Sequence, residues 1–248
     1  MSQAARAAEA APISIAPLTP TIGAEISGID LSKPMTAGLL AALRQALLDW
    51  KVIFFRDQDI STEEHLAFAR AFGELEVHPF APQKPGYPEV LAITHDRDSK
   101  GRENVWHSDV TWRLCPSLGS VLRALEVPEV GGDTLFSDMY AAYEGLSDEV
   151  KERIDGAVAI HDFAHFRKMM RNRGMSEAEI EEMNRKYPMA EHPVVRTHPE
   201  TGRKGIYVNT AFTQYIVGME RAESDALLAH LYAQAAIPEY QCRFRWQK

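Results

Sequence analysis

The sequence predicts a mixed, mainly β domain flanked by helices. Three observations lead there: many short apolar runs of strand length punctuated by Gly and Pro, a few stretches with apolar residues at helical spacing, and no repeat or second domain boundary. At 248 residues and 45% hydrophobic composition, the chain is long enough to build one large core. A net charge of -8 leaves no basic footprint for nucleic acid. No apolar run approaches a membrane span. Cys115 and Cys242 lie far apart without C-x-x-C spacing, which argues against a zinc knuckle or a disulfide scaffold and fits a reducing cytoplasm. Residues 1–12 are Ala-rich, carry Arg6 and Glu9, and hold no sustained apolar region; they read as a disordered tail, with the folded domain running over 13–248.

Each element follows from local chemistry. Alternation over residues 13–15 and 22–26 predicts two strands, with Pro17, Pro20 and Gly23 turning the chain between them. After Thr36, Leu39, Leu43, Ala46, Leu47 and Trp50 fall on one helical face. Residues 52–55 form a compact apolar run that reads as a buried strand. Ser61 and Glu64 stand at capping-box spacing, opening a helix that buries Phe68, Ala71 and Phe72. Strands are predicted over 90–94, 118–127 and 134–136, and one helix over 140–154. The charged, Met-rich stretch 167–187, helical after Ser176, reads as an insertion that could serve as a mobile lid. Turn residues at 200–203 join residues 194–197 and 205–209 as a hairpin. A last helix over 221–236 stacks Leu227, Leu228, Leu231 and Tyr232.

The most informative stretch is Asn104-Val105-Trp106-His107-Ser108-Asp109-Val110-Thr111-Trp112. Its composition is strand-like, and residues two apart on a strand share a face, so His107 and Asp109 could meet one metal ion. That pair is two thirds of the 2-His-1-carboxylate triad of non-haem iron(II). By itself the spacing is equally served by a His hydrogen-bonded to a neighbouring Asp.

An ordered set of further segments supports the metal reading. They are Ile22-Gly23-Ala24-Glu25-Ile26-Ser27-Gly28, Val52-Ile53-Phe54-Phe55-Arg56-Asp57-Gln58, Phe72-Gly73-Glu74-Leu75, His78-Pro79, Gly131-Gly132-Asp133-Thr134-Leu135, His161-Asp162-Phe163, His192-Pro193-Val194-Val195-Arg196-Thr197-His198-Pro199 and Val208-Asn209. In this order, together with the His107 segment, the chain resembles the TauD/TfdA group of iron(II)- and 2-oxoglutarate-dependent oxygenases, from about residue 13 to 246.

The resemblance implies a double-stranded β-helix (a cupin-like jelly-roll) core flanked by helices. It implies Fe(II) held by His107 and Asp109, 2-oxoglutarate as cosubstrate bound by the Thr134 hydroxyl, and O2 as the oxidant. The implied reaction decarboxylates 2-oxoglutarate to succinate and hydroxylates a carbon of a small anionic organic substrate, in the taurine case with release of sulfite and an aldehyde. His78, Val110, Phe163 and Phe212 fall at the family's substrate positions. Ala81 stands where taurine enzymes place a Tyr, and Glu103 where they place an Asn, so recognition of the taurine amine differs; Glu103 could supply a charge in its place. His95, His161, His165 and His230 read as structural or surface residues. Members of the group commonly self-associate, so a homo-oligomer is expected.

The family's pattern continues past the strand-like Tyr240-Gln241-Cys242-Arg243-Phe244-Arg245-Trp246 into a Trp-Asp-Asn-Arg motif, the second metal His, and an Arg for the distal carboxylate of 2-oxoglutarate. A chain ending at Lys248 is expected to hold an incomplete, C-terminally truncated jelly roll and to lack a competent iron centre, with His192 and His198 poor substitutes. The alternatives are an alkyl sulfate or aryloxy-acid dioxygenase of the same group, or an inactive pseudoenzyme.

Overall fold

The computed structural model describes residues 13–95, 104–172 and 174–247. The predicted tail and Glu103 lie outside them. Contacts divide the chain into two compact units.

The first unit comprises residues up to Thr94, Ser120–Phe136 and the segment from Gln241. Strands β1 (Ser14–Pro17) and β2 (Ala24–Ser27) pair antiparallel, and β3 (Ile53–Phe55) adds parallel to β2. Helix α1 (Ala37–Trp50) provides the crossover, capped by the Thr36 hydroxyl accepting from the Leu39 N–H. It buries Leu43 and Ala46 beside Ile26, Leu31, Ile60 and Phe68. Helix α2 (Thr62–Arg70) opens with the capping box as predicted: Ser61 Oγ accepts from Glu64 N–H, and the Glu64 carboxylate from Ser61 N–H. The hairpin β4 (Gln83–Lys84) and β5 (Tyr87–Leu91) begins earlier than the strand expected over 90–94.

A second core in this unit joins Ile22, Phe54, Cys242 and Phe244. Phe54 stacks on Phe244 with centroids 3.6 Å apart, and β6 (Thr134–Ser137) pairs with β12 (Gln241–Phe244). Gly23 is essential to that packing. It takes φ +85°, and a Cβ there would lie 2.6 Å from Cys242 Sγ. Gly23→Ala is therefore expected to destabilise the protein by roughly 2–4 kcal/mol, combining a disfavoured backbone with an overpacked contact. Urea unfolding checks this; a loss under about 0.5 kcal/mol, the scale of a neutral surface change, would contradict it.

The expected strand over 118–127 does not form. Its composition suits a strand, but among the described residues no neighbouring strand offers a ladder, and a strand without one leaves its backbone groups unpaired. Leu118, Leu122 and Leu125 are exposed, and the Val121 carbonyl is met by His65 Nε2 at 2.9 Å.

The second unit comprises His95–Gly119 and Ser137–Tyr240. Its sheet orders β11 (Thr213–Ile216), β7 (Val158–His161) and β8 (Ala190–Pro193), all antiparallel. The predicted hairpin is present as β9 (Val195–Thr197) and β10 (Lys204–Ile206). In place of one helix over 140–154 there are two, α3 (Met139–Glu144) and α4 (Asp148–Ile154). Gly145 ends the first, and Ser147 caps the second by accepting from Val150 N–H, so the local breaking and starting signals override continuous apolar spacing. Helix α5 (Ala164–Asn172) precedes α6 (Glu177–Lys186), whose capping box uses Ser176 and Glu179 and whose Ile180 and Met183 are buried. Helix α7 (Arg221–Gln234) contributes Leu227, Leu228 and Leu231 to a core with Ile154, Ala159, Val194, Ile206 and Ile216. Its buried Ser224 accepts the Ile216 N–H at 2.8 Å, pairing a donor that β11 leaves over.

Candidate active site

His107 and Asp109 lie in the second unit, and the structure corrects the reason for their meeting. Residues 104–112 form an irregular segment ending in a turn, with no strand. Val110, buried at 8% exposure, has φ +49°, a left-handed conformation closed by a hydrogen bond from Arg113 N–H to the Val110 carbonyl. A β-branched residue there is a backbone outlier costing about 1–3 kcal/mol, and it cannot continue a strand. The turn nonetheless sets His107 Nε2 3.3 Å from Asp109 Oδ1.

That distance fits a shared metal. Imidazole and carboxylate bonds of roughly 2.0–2.2 Å, at right angles, put two donors about 3 Å apart. The imidazole is also oriented for ligation: its Nδ1 lies 2.9 Å from the Val105 carbonyl, an oxygen that can only accept. The carbonyl takes the Nδ1 proton, so Nε2 is the nitrogen that would ligate a metal, while without one a proton on Nε2 serves the Asp109 carboxylate. Both side chains are reachable from solvent, at 31% and 63% exposure. Among the described residues no group of three His, Cys, Asp or Glu gathers around one point, so the pair supplies two donors.

The segment is anchored from beneath by a polar cluster. Thr111 is fully buried; its Oγ1 accepts from Asn209 Nδ2 at 3.0 Å and pairs with His161 Nδ1 at 3.0 Å. His161 Nε2 lies 3.2 Å from Thr213 Oγ1, which accepts the Asn209 N–H at 2.9 Å. His192 Nε2 donates to the Arg113 carbonyl at 2.8 Å, and Thr210 Oγ1 to the Trp106 carbonyl at 3.1 Å. Burial, reinforced by the neighbouring His192, pushes His161 down to about 4, so the ring stays neutral and donates through one nitrogen while accepting at the other. The sequence reading placed His161 among structural residues but did not link it to Thr111. The available signal was a polar residue ending the apolar run Val158-Ala159-Ile160.

Phe163 is 2% exposed and packs at 5.0 Å against Trp112, with Tyr187 at its edge and the Arg167 guanidinium over its face. Arg167 in turn pairs with the buried Asp162 through two hydrogen bonds. Phe212 is half-buried, and its carbonyl accepts the Asp162 N–H.

In the first unit, Gly131 and Gly132 turn with φ +85° and +74°, conformations open to glycine at no steric cost, and deliver the chain into β6 at Thr134. Thr134 Oγ1 accepts from Trp246 Nε1 at 2.8 Å, which leaves its own proton to donate, the capacity a carboxylate partner needs. Asp133 beside it pairs with Arg243 at 2.7 Å. His78, also in this unit, uses Nδ1 to accept from the Phe80 and Ala81 N–H groups at 3.2 and 3.0 Å, capping the turn that follows. Its proton therefore sits on Nε2.

An oriented imidazole with a carboxylate at metal-sharing distance defines a candidate metal centre carried on a mixed αβ scaffold. The family model described as taurine catabolism dioxygenase TauD, TfdA family, matches residues 14–248, and the chain belongs to that family of 2-oxoglutarate-dependent dioxygenases. It is 34% identical over 236 residues to an alkylsulfatase of Acinetobacter baylyi, covering 93% of this chain and 73% of that protein. It is 33% identical over 254 residues to an alpha-ketoglutarate-dependent sulfate ester dioxygenase of Pseudomonas putida, covering 98% and 81%. Among solved structures, a taurine dioxygenase from Burkholderia xenovorans superimposes with a TM-score of 0.79 at 37% identity, covering 95% of this chain and 76% of that one.

Proposed function

We propose that the protein is an Fe(II)-dependent member of this family that hydroxylates the carbon bearing the anionic group of a small organosulfur compound. The observation that carries the reading is the 3.3 Å approach of His107 Nε2 and Asp109 Oδ1, with the imidazole held through Nδ1 by the Val105 carbonyl. In this reading the jelly-roll implied by the family resemblance is the scaffold. Iron, when bound, supplies the oxidative chemistry together with 2-oxoglutarate and O2.

The chain's own residues do the rest. His107 and Asp109 hold the metal, and the His107 Nδ1–H to Val105 hydrogen bond keeps the imidazole aimed. Thr134 donates its hydroxyl proton to a 2-oxoglutarate carboxylate while Trp246 fixes the oxygen. His78 stands near the substrate's anion, half-buried Phe212 supplies apolar surface, Phe163 acts from beneath by backing Trp112, Val110 borders the metal pair, and Glu103 adjusts recognition of any substrate amine.

Sulfonates such as taurine are the first substrate class. A second reading, sulfate esters, is favoured by the likeness to the alkylsulfatase and the sulfate ester dioxygenase. Ala81 supports it too, because it removes a hydroxyl from the position where taurine enzymes place a Tyr, and sites built on hydrogen bonds discriminate steeply when a bond is missing. The test is anaerobic absorption with Fe(II) and 2-oxoglutarate, followed by succinate release in air with alkylsulfonates, alkyl sulfates and aryloxy acids. Sulfite from a sulfonate is the expected product; sulfate selects the second reading. Phenol alone, or no succinate with any substrate from a version extended through the family's second-His segment, overturns both. Taurine is expected not to lead the panel by a wide margin.

A further inference from the structure

We infer that the buried cluster of Thr111, His161, Asn209 and Thr213 is a clamp that holds Val110 in its left-handed conformation and thereby seats Asp109 against His107. The inference deepens the metal reading above and rests on it, assigning positioning roles to four residues that touch neither metal nor substrate.

Val110 is the wrong residue type for its backbone. A branched Cβ resists positive φ, so the turn persists only if the surroundings over-determine it. The next residue is where that determination is concentrated. Thr111 is fully buried, and its single hydroxyl is held by side chains from two distant parts of the chain, His161 at the end of β7 and Asn209 just before β11. Those two are bound to each other through Thr213, whose hydroxyl takes the Asn209 N–H and meets the second nitrogen of His161. The ring is closed, with every polar group partnered, and closed buried networks rigidify what they hold. The ties at Arg113 and Trp106 fix the segment on both sides of the pair.

Asp109 lies between the clamped residue and His107. With Thr111 fixed, releasing φ of Val110 is the simplest motion that would swing Asp109 away, and the clamp opposes it. Neutrality of His161 suits this role, because a charged imidazole would offer two donors and lose the acceptor that a neutral ring contributes.

The experiment compares wild type, Thr111→Val, Thr111→Ser and the double variant Thr111→Val/Val110→Gly. Two readouts are taken: amide hydrogen exchange over residues 105–113 of the metal-free protein, and the affinity for Mn(II) alone. Thr111→Val keeps the shape and removes the hydroxyl; it is expected to speed exchange about tenfold or more and weaken Mn(II) about tenfold or more, the scale on which groups supporting metal ligands act. Thr111→Ser restores the hydroxyl and should return both to near wild type. Glycine at 110 adopts positive φ without strain, so the double variant should recover at least about threefold of the lost affinity, an effect a general loss of packing would not give. If Thr111→Val fails to fold, Asn209→Ala breaks the same ring and must show the same effects with the same glycine rescue. Unchanged exchange in the valine variant, or no recovery with glycine where the wild type binds Mn(II), overturns the clamp. Exchange in the expected order with no Mn(II) bound by wild type upholds the clamp and rejects the metal reading, so the two failures are separable.

Discussion

In a version extended through the family's Trp-Asp-Asn-Arg and second-His segment, replacing His107 or Asp109 with alanine is expected to lower succinate formation at least about a hundredfold while leaving the melting temperature within about 2 °C of the unsubstituted protein. Removing a group that merely supports a metal ligand costs about 10–100-fold, and removing a ligand should cost no less. The fold should tolerate the change because both side chains are partly solvent-exposed, and such positions shift stability by about 0.5 kcal/mol or less. The 2-oxoglutarate turnover assay with thermal unfolding checks both halves. Undiminished succinate in either variant would remove the pair from the chemistry, and a collapsed melting temperature would make it structural.

The second large effect concerns acid. His161 titrates near 4 in the folded protein against an ordinary value of 6.5, because burial and the adjacent His192 penalise its charged form. As pH falls below 6.5 the unfolded chain takes up this proton and the folded chain does not, so the unfolded state gains. The contribution is fully present above about pH 6.5, declines between there and pH 4, and is gone below. Its total is about 3 kcal/mol, from 1.36 kcal/mol per pH unit. Between pH 7 and pH 4.5 the wild type should lose about 2 kcal/mol more than His161→Gln, which cannot titrate. Urea unfolding of both proteins at the two pH values measures the difference; parallel losses would mean that His161 is not held neutral by the fold.

Helical elements were the most legible from the amino acids. Thr36, Ser61 and Ser176 cap where their spacing places them, because a cap is a bond between residues three apart and needs nothing beyond the chain itself. The hairpin around residue 202 is local for the same reason. Two elements were misread where local signals compete or partners decide. Gly145 and Ser147 cut a helix whose apolar spacing runs through them, and residues 118–127, apolar enough for a strand, lack a neighbour to pair with.

At the candidate site the division is sharper. The family was readable from ordered motifs, and with it the pairing of His107 and Asp109, since identity and spacing are properties of sequence. The means of that pairing was not. Strand-like composition suggested alternation, whereas the structure uses a turn through a left-handed valine, a state that no local preference of Val favours. Only contacts from residues about 50 and 100 positions away, His161 and Asn209 on Thr111, provide for it. Sequence by itself determined the family, the capped helices and which side chains can bind a metal, because these are set by residue type and short-range spacing. Tertiary structure alone decided how Asp109 is aimed and why His161 stays neutral, because both follow from burial and from hydrogen bonds between residues distant along the chain.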